Sequence, residues 1–189
     1  MERRAFRVNG FAVLVGLLVL GVVMAGAGWA AGVPALIGAA VAWVIVAAVA
    51  ASGFVVINPN EAKVVQFLGR YVGSVNDAGF QWVPPFTTKR RVTLRVRNFE
   101  TAKLKVNDAD GNPVEIGAVV VYRVTDSAKA AFSVDDYEEY VAIQSEAAVR
   151  HLATSHPYDA HDEGRTSLRD GAEVAAELTT ELSDRTELA

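Results

Sequence analysis

The chain has 189 residues, a formal net charge of −4 and no cysteine. Without thiols it can form no disulfide, thiolate metal site or cysteine nucleophile, and its length leaves room for one well-cored domain beyond the apolar N-terminal stretch. The charge is uneven: Lys63, Arg70, Lys89, Arg90, Arg91, Arg95 and Arg97 make the 61–97 stretch basic, whereas Asp and Glu dominate after Arg150.

In chain order, a basic start (residues 1–10, with Arg3, Arg4 and Arg7) precedes a run from Gly10 to Ile57 that carries no charge. As one straight helix that run would extend about 70 Å, more than twice a hydrocarbon core of about 30 Å. Gly32-Val33-Pro34 breaks it near the middle, because proline lacks the helical N–H and keeps the preceding residue out of helix. The pattern predicts a two-span membrane hairpin over residues 11–57, made of Phe11–Ala31 and Ala35–Ile57.

Arginines precede the first span, Lys63 and Arg70 follow the second, and the turn is uncharged. Positive flanks stay inside, so the expectation is a multi-pass protein of the cell membrane with both ends and the soluble domain in the cytoplasm. A second reading stays open at this point. The basic start, Phe11–Met24 and Ala25-Gly26-Ala27 also resemble a cleavable signal peptide. Gly28 and Gly32 form a GxxxG pair beside Pro34, which favours close packing within the hairpin over a dedicated dimer face. The spans contain no ionisable residue, so the hairpin is an anchor and not an ion pathway.

After the turn Asn58-Pro59-Asn60, residues 58–160 read as a mixed β-sheet with packed helices, an α+β fold. Predicted strands are Lys63–Leu68, Tyr71–Val75, Phe80–Val83, Lys89–Arg97, Ala102–Val106 and Pro113–Val124. In Lys89–Arg97, Val92, Leu94 and Val96 alternate with Thr93, Arg95 and Arg97, the pattern of a half-buried strand with a basic outer face. Val119-Val120-Val121-Tyr122 is apolar on both faces and predicts a central strand covered on both sides. The period then becomes helical. A helix is expected from Ser133 as cap, with Asp136 three residues on, through Leu152 to a stop at Pro157. A second helix, expected to begin near Ser167 with Asp170 three residues on, occupies most of 161–189.

Little of this carries chemistry. Asp108-x-Asp110-Gly111 suggests a calcium loop, but the implied first and last ligands would be Val106 and Gly117, so it reads as a turn. His151, His156 and His161 are spaced by five and interrupted by Pro157, which favours solvated residues over a metal site. Asp135, Asp136, Glu138 and Glu139 suit a helix N-terminus. The sequence contains no phosphate loop, nucleophile elbow or zinc-protease motif, so the expectation is no enzyme, no metal and no cofactor. A tethered, acidic protein is not expected to bind nucleic acid. Trp82, Pro84, Pro85 and Phe86, followed by Lys89, Arg90 and Arg91, combine a proline-broken strand, two aromatics and a basic cluster. That composition suits a loop dipping into the cytoplasmic leaflet; a Trp and Phe buried in the core remains the competing reading.

Asn58–Tyr71 resembles the opening of a band 7 (SPFH) domain, the group that holds stomatin, prohibitin and flotillin. Ala78-Gly79-Phe80-Gln81-Trp82-Val83-Pro84-Pro85-Phe86, Asp110-Gly111-Asn112-Pro113-Val114 with Val119–Val124, and Ser145–Arg150 resemble further motifs of the group, in its order. The resemblance implies a bacterial, non-enzymatic membrane scaffold that organises microdomains on a lipid bilayer as a homo-oligomer. It also implies partners such as a membrane protease or another integral membrane protein, which such a chain would restrain as a regulatory subunit. Ala78 stands where the family commonly has proline. The family also continues past this helix into a strand and a coiled coil, so a chain stopping at Ala189 is expected to be C-terminally truncated.

Overall fold

The computed structural model describes residues 3–159 and 166–187. The chain is α+β and folds as two compact units. One runs to Arg95 and takes in Thr125–Ala128; the other comprises Val96–Val124 and the chain from Lys129 on.

The first unit opens with a short strand, β1 (Val8–Asn9), followed by α1 (Gly10–Ala31) and α2 (Val33–Ala51). At 1.5 Å per residue the two helices measure about 33 and 28 Å, each close to one hydrocarbon thickness. Asn9 caps α1, its Oδ1 accepting from the Phe11 N–H at 2.9 Å. Gly32 alone separates the helices, with φ of 101°, and Pro34 lies in the first turn of α2. Along both helices only Gly10 and Gly28 are buried, so the apolar side chains face outward. The helices pack closely: a Cβ on Gly28 would lie 2.8 Å from the Leu36 Cα. Trp43 stacks over Gly21 and donates its indole N–H to the Leu17 carbonyl at 3.1 Å. The bond keeps the indole donor paired between two helices that are otherwise apolar.

The second helix stops six residues before the expected end of the span. Phe54–Ile57 forms strand β2, which pairs with β5 (Gly79–Trp82). An apolar run is compatible with either state, and Gly53 marks the change. Strand β1 pairs with the other edge of β5, giving a three-stranded sheet in the order β1-β5-β2. A second sheet has β3 (Glu61–Phe67) at its centre, between β4 (Arg70–Val75) and β6 (Thr87–Thr93). All these ladders are antiparallel; an isolated parallel bridge joins Arg4 to Ser74. Ala5, Ile57, Val65, Val75 and Val83 form the core of this unit, with Val55 against it. The N-terminal segment is thus part of the domain, and Arg7 pairs with Asp77. Ser127 is buried, and its hydroxyl donates to the Ser74 Oγ at 3.0 Å.

In the second unit, β7 (Arg97–Glu100) pairs with β10 (Val119–Tyr122), and β8 (Leu104–Asn107) pairs with β9 (Pro113–Ile116). The sequence suggests one strand over Lys89–Arg97, but the chain leaves β6 at Thr93 and restarts at Arg97, and Val96 is exposed. β10 is not central: its described partner is β7 alone, and Val119 and Val121 are 66% and 65% exposed.

Short helix α3 (Ser127–Phe132), absent from the sequence reading, precedes α4 (Tyr137–Ser155) and α5 (Gly171–Thr186). The cap of α4 is Asp136 rather than Ser133. Its Oδ1 accepts from the N–H groups of Glu138 and Glu139 at 2.8 and 3.3 Å. Ser145, Ala148, Val149, Leu152 and Ala153 supply its buried face, and Ser155, two residues before Pro157, ends it. Asp170, not Ser167, occupies the cap position of α5 and accepts from the Ser167 N–H and Oγ at 2.8 and 2.9 Å. These two bonds from Ser167 hold the Asp170 carboxyl below its usual range.

Candidate functional site

The residues expected at the bilayer lie where β5 meets the end of α2. Trp82 closes β5 half-buried, and its Nε1 donates to the Ala50 carbonyl at 2.8 Å. Lys89, on β6, donates from Nζ to the Ser52 carbonyl at 2.6 Å. The last four carbonyls of a helix have no partner within it, and a cation suits that end of the dipole. Trp82 and Lys89 therefore both close the C-terminus of α2, and burial pushes the Lys89 ammonium below its ordinary pKa. The junction is tight. Gly53 is packed against the Val83 carbonyl, and a Cβ there would lie 2.5 Å from the Trp82 Nε1. At the other helix end, a Cβ on Gly10 would lie 2.5 Å from the Phe80 ring.

The basic triplet is divided. Successive strand residues face opposite ways, so Arg90 points away from Lys89 and Arg91. Arg91 ion-pairs instead with the buried Glu61, Nε to Oε2 at 2.9 Å. Burial alone would raise the Glu61 pKa. The Asn58 amide, Lys63 at 3.3 Å and Arg91 outweigh it and hold the carboxyl below its usual range.

Pro84 and Pro85 are half-buried, whereas Phe86 is 67% exposed at φ of 61°. Leu68, expected to end the first strand, lies instead in the turn after it and shares this behaviour: 82% exposed at φ of 47°. Phe67 pairs with Thr87, so the Leu68 turn and Phe86 emerge at one end of the second sheet. A bulky residue at positive φ is uncommon, and asparagine or glycine would be the cheaper choice there. The sequence signal was the Leu68-Gly69 pair between two strands, a two-residue hairpin turn.

The remaining candidates serve structural roles. Asp108 organises its turn: Oδ1 accepts from the N–H groups of Asp110 and Asn112 at 3.0 and 2.7 Å, and Oδ2 from the Tyr158 N–H at 2.9 Å. The Tyr158 bond first, and those from Asn112 and Asp110, keep the Asp108 carboxyl acidic against its desolvation. His151 meets Glu181 at 3.1 Å and His156 meets Glu177 at 3.2 Å, so both bridge α4 to α5; His161 lies outside the described residues. Among the described residues no group of three or more His, Asp or Glu is placed to hold a metal.

Residues 55–185 match the family described as SPFH domain / Band 7 family. An uncharacterized protein of Archaeoglobus fulgidus is 31% identical over 97 residues, which is 51% of this chain and 39% of that protein. An uncharacterized protein of Methanocaldococcus jannaschii is 27% identical over 121 residues, 62% of this chain and 61% of its own length. The chain thus spans less than two thirds of either relative.

Proposed function

The chain belongs to the SPFH domain / Band 7 family, whose members are commonly membrane scaffolds, and on that premise we propose that it is a non-enzymatic, membrane-anchored scaffold. It self-associates laterally and organises membrane microdomains or membrane-protein complexes. The observation that carries this reading is the clamp at the hairpin base. Strands β1 and β2, at the two ends of the hairpin, pair with the same strand β5. Such a clamp gives the soluble domain little freedom to swing away from the bilayer.

In this reading α1 and α2 both span the cell membrane, and Gly28, Gly32 and Pro34 close the hairpin at its turn. The basic flanks keep the domain in the cytoplasm. Trp82 and Lys89 fix the loop to the end of α2. Pro84, Pro85 and Phe86 meet the leaflet, and Arg90 adds positive potential near anionic headgroups, at about 1 kcal/mol per residue close to the surface, whereas the Arg91 charge is taken up by Glu61.

Crosslinking of the full chain in isolated membranes, read by mass spectrometry, tests the function. Homotypic crosslinks as the main product are expected. A stoichiometric membrane protease or other integral membrane protein in their place would replace the scaffold with a regulatory subunit. Monomer alone, at a crosslinker dose that captures a known oligomer, would overturn both.

A further inference from the structure

We propose that the sheet β1-β5-β2 lies flat in the headgroup zone, with Phe54, Val56, Phe80 and Trp82 turned toward the acyl chains. This rests on the membrane-anchor reading above and names the surface through which the domain meets lipid.

Three observations carry it. First, the strand pairs Phe54–Trp82 and Val56–Phe80 place these four side chains on one face. The opposite face carries Ile57 and Val55, which pack into the core of the unit. Second, both helix ends sit on the aromatic face. Gly10 lies over the Phe80 ring, Phe11 meets it edge-on at 5.1 Å, Phe54 stacks on it at 5.0 Å, and Trp82 bonds Ala50. The helices therefore leave the sheet from the side these aromatics occupy.

Third, strand direction fixes the tilt. β1 leads into α1 and β2 leads out of α2, yet both are antiparallel to β5 and hence parallel to each other. Strands standing along the membrane normal would need one to run toward the bilayer and the other away, which parallel strands cannot do. They must lie across the normal. Val56 is nevertheless 62% exposed on this face. The occupant that fits is the bilayer, because the helices leaving the same face are apolar all round. Aromatic rings are favoured at that depth.

The cysteine-free chain allows a direct test. Val56→Cys and Val19→Cys, each in the full chain, are labelled with an environment-sensitive fluorophore and reconstituted into phosphatidylcholine–phosphatidylglycerol vesicles. Val19, exposed on α1, reports the anchor. The Val56 probe is expected to emit at shorter wavelength than the glutathione adduct in water. Shallow spin-labelled lipid should quench it, and its quenching by iodide should be several-fold weaker than that of the adduct. Free quenching by iodide and none by lipid at Val56, with lipid quenching at Val19, would overturn the flat sheet and leave the anchor standing. No lipid quenching at Val19 would sink the anchor reading and this inference with it. Valine to cysteine at an exposed site keeps the fold, and an unchanged thermal midpoint of the labelled protein checks this.

Discussion

Strands β3 and β10 both carry consecutive valines and live in opposite surroundings. Ala62, Val64 and Val65 of β3 are fully buried, whereas alternate valines of β10 face outward. The difference is the number of partners. β3 has β4 along one edge and β6, paired over seven residues, along the other; β10 is four residues long and has β7 as its described partner. A run of valines favours a strand, but cover is supplied by chain that arrives from elsewhere. Arrival also sets polarity. Glu61 begins β3 buried because Lys63, from its own strand, and Arg91, from β6, meet its carboxylate.

The contrast can be tested by full-chain unfolding in detergent micelles. Val64→Asp buries a carboxylate with no partner and is expected to cost more than about 3 kcal/mol, abolishing a cooperative transition of the first unit. Val65→Ala removes two methyl groups from the core and should cost about 2 kcal/mol, read as a lower denaturant midpoint with unchanged slope.

Glu61→Gln sharpens the comparison through pH. The folded carboxyl titrates below its unfolded value of about 4.3, so its contribution is fully present above that value. It is lost as pH falls through the lower, folded pKa. Melting temperature followed from neutral to acid pH should fall less steeply for Glu61→Gln than for the parent; equal slopes would show that Glu61 is not stabilised as an anion.

Val119→Ser and Val121→Ser should each change stability by about 0.5 kcal/mol or less. A cost as large as that of Val65→Ala would break the contrast, and would mean that the outer face of β10 is covered in the assembled protein.

The loop at the base of the hairpin shows what was readable. Pro84, Pro85 and the exposed Phe86 could be singled out from composition alone, because prolines interrupt a strand wherever they fall. The partners of Trp82 and Lys89 could not, since they lie 32 and 37 residues back along the chain. Lys89, Arg90 and Arg91 read as one cluster, yet strand alternation and the buried Glu61 send them to different places. Phe54 was hidden differently: as the tail of an apolar run it looks like more helix, and only pairing with Trp82 makes it strand.

The sequence by itself determined the two apolar helices, the turn at Gly32, the long α4 and its stop before Pro157. Each follows from local rules: missing charge, a lost N–H, a 3.6-residue period. Tertiary structure alone decided that residues 3–9 belong to the domain, that β5 holds both ends of the hairpin, and which of two valine-rich strands is covered. Those outcomes depend on pairing between distant segments, and a hydrogen-bond ladder leaves no mark in either strand that names its partner.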